Sequence, residues 1–171
     1  MKQSRYDPAL FMKHDEDGKL RGLIGTHVDD FAITGSDSWQ EDIVKKIKSH
    51  FELGRVETGD FFYCGHQIKQ DGERLVLDQD DFANDIKPLV ISPARRKENS
   101  ELVSDVERKM IRSYAGKLGW LGRNTRPDLL FSQIEASSCV TKATVHDLKN
   151  LSKAVTRIST YISVMNSPNL P

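Results

Sequence analysis

Gly25-Thr26-His27-Val28-Asp29-Asp30-Phe31-Ala32-Ile33-Thr34-Gly35-Ser36 is the stretch on which the fold turns. Two adjacent carboxylates stand between two apolar runs, Leu23-Ile24 before them and Phe31-Ala32-Ile33 after. The flanks are strand-forming, which puts the acids at a hairpin tip. A paired acid is costly there unless hydrogen bonds or a cation offset it. Magnesium and other hard cations take carboxylate oxygens, so the tip is a candidate cation site. From spacing alone, a solvated acidic turn is the plainer reading.

Working outward, Ala9-Leu10-Phe11-Met12-Lys13 reads as a strand, and the Asp17-Gly18 pair after it is a turn signal. Leu20 to Val28 returns as a second strand and Phe31 to Thr34 as a third, a meander with its acids at one tip. Ser36 or Ser38 can cap the helix that follows. Trp39, Ile43, Ile47 and Phe51 recur at helical spacing as one buried stripe, ending near Gly54 as a C-terminal cap. The aromatic run from Phe61 to Ile68 reads as a strand, a turn follows at Gln70-Asp71-Gly72-Glu73, and Arg74 to Asp78 returns. Gln79 to Ile86 is a short helix ended by Pro88 and Pro93.

The polar segment from Arg95 to Ser100 is the candidate boundary, read as a solvated loop rather than a phosphate contact. Beyond it the pattern is helical. Ser104 and Glu107 have the spacing of a capping box. Val106, Met110, Tyr114, Leu118 and Leu121 form a stripe. Pro127 opens a second helix through Leu129, Leu130, Phe131 and Ile134 to about Cys139. A third starts at Thr144 or Val145 and carries Leu148, Leu151, Val155, Ile158 and Ile162. The chain stops soon after, which suggests a fragment.

The 171 residues carry 37% hydrophobic and 29% charged residues with zero formal net charge. That suits one domain or two small ones and leaves no overall field toward nucleic acid or anionic membrane. Cys64 and Cys139 make neither a disulfide framework nor a zinc spacing. Cys64 and His66 flank Gly65 on what reads as one strand, too few ligands for a tetrahedral site. No run approaches the roughly 18 apolar residues of a membrane span, and no signal-peptide region follows Met1. His14, His50 and His146 read as surface residues.

His27-Val28-Asp29-Asp30 resembles the Tyr-Val-Asp-Asp box of reverse transcriptases. The flanks from Tyr6-Asp7-Pro8 to Ser36 are similar to the copia-type retrotransposon enzymes. So are Phe51-Glu52-Leu53-Gly54, Phe62 to Ile68, Leu77-Asp78-Gln79, Arg112 to Leu121 and Thr125-Arg126-Pro127-Asp128-Leu129. The resemblance implies an α+β chain with a small antiparallel palm-like sheet and a packed helix, followed by a helical thumb- or connection-like part. Residues 1–94 would be a partial palm, 101–165 the helical region and 166–171 a loose tail.

On that resemblance, Asp29 and Asp30 are the catalytic, metal-binding carboxylates, with Mg2+ or Mn2+ as cofactor. His27, in place of the usual Tyr, Val28 and Gly65 lie near the primer. Lys117, Arg123 and Arg126 are candidates for backbone phosphate contacts, although Trp120 reads as core and Thr125 to Asp128 as a structural corner. The implied partners are template-primer, nucleoside triphosphates, an upstream polymerase half carrying the third aspartate, and ribonuclease H. The implied setting is intracellular, in a cytoplasmic particle or the nucleus, without a membrane. The chain alone is expected not to polymerise. The alternative is a non-catalytic remnant serving as a nucleic-acid-binding or protein-interaction module.

Overall fold

The structure, a computed structural model, describes residues 1–160 and 165–166. The chain is α+β, with small antiparallel sheets and helices. It forms two compact units, Met1–Gly65 and His66–Pro171.

In the first unit β1 (Lys2–Gln3), β2 (Leu10–His14), β3 (Leu20–His27) and β4 (Asp30–Gly35) form an antiparallel meander in that order. Ile24 of β3 faces Phe11 on one side and Ile33 on the other. This apolar row fixes the register, because a slip by one residue would turn Ile24 away from the core. Helix α1 (Asp37–Lys48) lies on the sheet through Trp39. Gly22 and Gly35 are cross-strand partners. A Cβ on Gly22 would sit 2.3 Å from the Trp39 ring, and one on Gly35 2.8 Å from it. Two facing glycines thus form the hole that admits the indole.

Helix α1 starts after Ser36, one of the two serines the sequence offers as a cap, but the Ser36 side chain makes no capping bond, and the helix ends at Lys48 with Ser49 as its C-cap, ahead of Gly54. The Ser49 hydroxyl donates to the Lys46 carbonyl at 2.8 Å. Side-chain capping of this kind ends the helix early, and Phe51 is left 62% exposed. The run from Phe61 to Ile68 is not one strand. Strand β5 (Asp60–Tyr63) closes the first unit and β6 (His66–Asp71) opens the second. Between them Cys64 and Gly65 have φ of 49° and 80°, the sign pattern of a type I′ turn. Cys64 and His66 therefore do not share one strand face.

The second unit pairs β6 with β7 (Arg74–Asp78), and β7 with β8 (Met165–Asn166), all antiparallel. Helices α2 (Asp80–Asp85), α3 (Asp105–Asn124), α4 (Leu130–Cys139) and α5 (Val145–Thr160) follow β7. The capping box at the start of α3 forms: Ser104 Oγ accepts from Glu107 N, and the Glu107 carboxylate accepts from Ser104 N at 2.7 Å. The buried face of α3 carries Ile111, Ala115, Leu118, Gly119, Leu121 and Gly122. The expected stripe shares only Leu118 and Leu121 with it, and Val106 is exposed. Ala115, Gly119 and Gly122 give no hydrophobic periodicity in the sequence. They are what lets α4 come close: a Cβ on Gly122 would lie 2.9 Å from Leu130.

The α5 stripe stands as expected at Leu148, Leu151, Val155 and Ile158, all buried, with Ala154 added. Ile162 and the tail from residue 167 lie outside the described residues. The connection at 95–100 is not loose. It contains a short 3-10 turn (Arg95–Lys97), and Arg95 donates to both carboxylate oxygens of Glu107 at 3.0 and 2.8 Å and to Glu98 at 2.7 Å.

Candidate carboxylate turn and basic residues

The β3–β4 ladder ends with His27 opposite Asp30. That leaves a tip of two residues, Val28 and Asp29. Val28 has φ +54°, a conformation that a β-branched side chain rarely adopts. Nothing nearby rewards it, since Val28 is 94% exposed. Strained backbone of this kind costs on the order of 1–3 kcal/mol. The tight tip keeps Asp29 at the apex and Asp30 on the first residue of β4.

Strand alternation puts Gly25, His27, Asp30 and Ala32 on one face. Tyr63 lies over that face, its hydroxyl 3.7 Å from where a Gly25 Cβ would be. Its phenol titrates above the ordinary range, because of burial first, then the Cys64 thiol beside it and the negative charge of Asp30. In the sequence Tyr63 reads as one more strand aromatic in Phe61-Phe62-Tyr63. A hydroxyl ending an otherwise apolar run was the available signal.

Several carboxylates here have a cationic partner. Asp15 holds Arg21, Asp42 holds Lys46, Asp78 faces Lys69 at 3.5 Å, Glu107 holds Arg95 and Asp128 holds Arg126. Among the described residues, Asp29 and Asp30 have neither an ion pair nor a hydrogen-bond donor on their carboxylates, and both are exposed. Such a pair fits a magnesium ion that keeps several of its waters. It does not by itself fit two ions, which need further bridging oxygens. Among the described residues no three His, Cys, Asp or Glu side chains converge on one metal position.

The basic candidates do not form one patch. Lys117 Nζ lies 5.1 Å over the Tyr114 ring. Arg126 is 3% exposed and grips Asp128 with two bonds of 2.9 Å. This corrects its reading as a phosphate contact: its guanidinium closes the corner between α3 and α4, and it holds the Asp128 carboxyl below the usual range. Only Arg123 is open to solvent, and it shares a groove with Arg112. His66 is buried against Trp120, ring centroids 5.5 Å apart, while Trp120 keeps 41% of its surface exposed.

No protein-family model, curated protein or solved structure matches the chain. Among the described residues, no helix is long and apolar enough to cross a membrane.

Proposed function

We propose that the β3–β4 tip supplies two carboxylates to a magnesium-dependent nucleotidyl-transfer site of the reverse-transcriptase kind, and that the chain alone does not polymerise. One observation carries this reading: Asp29 and Asp30 stand exposed and unpaired on a two-residue turn with a strained Val28. In two-metal phosphoryl transfer, one cation activates the attacking hydroxyl and the other stabilises the leaving oxygen. Asp29 and Asp30 would be the ligands held here, with Mg2+ or Mn2+ as the ion. His27 shares the face of Asp30, Val28 forms the tip between them, and Gly65 belongs to the turn after Tyr63. A further carboxylate must be added to bridge both ions, since none joins the pair among the described residues.

Manganese binding to the whole chain tests the site. The expected result is one site whose affinity falls about tenfold or more in Asp29→Asn and in Asp30→Asn. Binding that ignores both substitutions overturns the reading. Primer extension by the chain alone, on poly(A) template with magnesium or manganese, is expected to be absent. Robust extension would show that the two acids suffice.

The absence of a third converging ligand among the described residues also favours a second reading, a non-catalytic binding module. With zero net charge, its nucleic-acid affinity would be modest, with a shallow but non-zero salt dependence set by the few phosphates it neutralises. Manganese binding without any extension, even when an upstream polymerase half is supplied in trans, separates this module from an incomplete enzyme.

A further inference from the structure

The sheet face that carries Asp30 has one more polar group above it. On that face Gly25 pairs with Ala32, and His27 with Asp30. Gly25 and Asp30 are therefore diagonal neighbours across β3 and β4, roughly 7–8 Å apart. The Tyr63 hydroxyl lies 3.7 Å from where a Gly25 Cβ would be. A phenolic oxygen thus stands beside the acidic tip, at a separation that suits a bridging water rather than a direct bond.

The ring and the hydroxyl of Tyr63 need separate reasons. The ring is half-buried at the end of β5, on the same side of that strand as Phe61. Phenylalanine would pack there equally well and would bury no hydroxyl, which costs free energy unless it is hydrogen-bonded. The hydroxyl has one hydrogen to give and two lone pairs to fill. The Cys64 thiol lies beside it, and sulfur is only a weak donor and acceptor. Among the described residues no backbone or side-chain N–H donates to the phenolic oxygen. Its lone pairs remain for a better donor.

A hydrated divalent cation supplies such a donor. Magnesium gives up its waters reluctantly, and a cation's charge makes those waters more acidic and so better donors. His27 shares the face, but it is exposed at the end of the ladder and would lose rotamer freedom to serve. Tyr63 is already held in place by its half-buried ring.

We propose that Tyr63 is a positioning residue of the carboxylate tip: its hydroxyl oxygen accepts a hydrogen bond from a hydration water of the cation that Asp29 and Asp30 hold. The inference rests on the reading of the tip as a cation site. Tyr63 adds a third point, from a different strand, to two adjacent carboxylates on one tight turn.

The test is Mn2+ titration of the whole chain and of Tyr63→Phe, which keeps the ring. The affinity is expected to fall about tenfold or more, as it does when partners outside the ligand set are removed from metal sites. The melting temperature of the cation-free chain is expected to stay where it is. In a chain with 13C-labelled tyrosine rings, bound Mn2+ is expected to broaden the resonances that Tyr63→Phe removes, and to stop doing so in Asp30→Asn. Binding that depends on both acids but ignores Tyr63→Phe overturns this inference and leaves the cation site standing, as do Tyr63 resonances that stay sharp with the site filled. Binding indifferent to Asp29→Asn and Asp30→Asn removes both together. A loss of affinity matched by a fall in the melting temperature of the cation-free chain would assign the hydroxyl to packing and also overturns the proposal.

Discussion

At the scale of single residues, the turn is defined by Val28 as much as by its acids. A positive φ in a β-branched, exposed residue costs more than it returns. Replacing it with glycine exchanges a strain of about 1–3 kcal/mol for an entropic cost of roughly 0.5–1 kcal/mol. Val28→Gly is therefore expected to stabilise the first unit by about 1 kcal/mol, read as a raised melting temperature. A lower melting temperature would show that the side chain has a role in the turn that its exposure does not reveal. The acids were legible in the sequence because Asp-Asp between apolar strands is conspicuous. Tyr63 was not, because its approach to Gly25 joins positions 38 residues apart in the chain.

At the scale of elements, α3 begins with the best-defined local device in the molecule. Glu107 closes the capping box and also binds Arg95. The Arg95 guanidinium, hydrogen-bonded to its carboxylate, is the main cause of its fall from an ordinary 4.5 to about 2, helped by the Ser104 hydrogen bonds. A carboxyl whose folded pKa lies below its unfolded value adds stability above the unfolded pKa, and that stability is lost as pH falls through the folded one. The window here runs from pH 4.5 down to about 2. Glu107→Gln keeps an acceptor for the capping box but loses the charge that binds Arg95, and is expected to lower stability at neutral pH by about 1 kcal/mol. Its difference from the unaltered chain should vanish near the lower end of that window. Thermal melts across the window check this, and a constant difference would rule out the charge as the cause. The box was legible from Ser104 and Glu107 alone. Its second partner was not, since Arg95 lies in a segment that reads as solvated polar loop.

At the scale of the whole molecule, the two units differ in how much they bury. Among the described residues of Met1–Gly65, Ile24 is the only fully buried hydrophobic side chain. The second unit gathers Ile111, Leu118, Leu121, Leu129, Leu148 and Ile158 into one cluster, each at most 2% exposed. Backbone amides of α3 and α5 are therefore expected to resist hydrogen exchange longest, with β3 and β4 exchanging earlier. Leu118→Ala should cost about 2–5 kcal/mol, seen as faster exchange in α3 to α5 and unchanged exchange in β3 and β4. Uniform acceleration along the chain would mean that the two units unfold as one.

Local chemistry was sufficient to determine the class of fold, the meander with its acidic tip, the capping box and the stripe of α5. Each depends on residues within a turn or two of one another, where period and capping act directly. Tertiary structure decided which face of α3 is buried, because small residues there matter only once α4 approaches. It also decided that Gly22 and Gly35 make room for Trp39 and that Arg126 is spent on Asp128 instead of a phosphate. Finally, it left Asp29 and Asp30 exposed on a two-residue tip with no cation brought beside them, whereas Glu107 and Asp128 each meet an arginine, a distinction made by which charges the fold brings together.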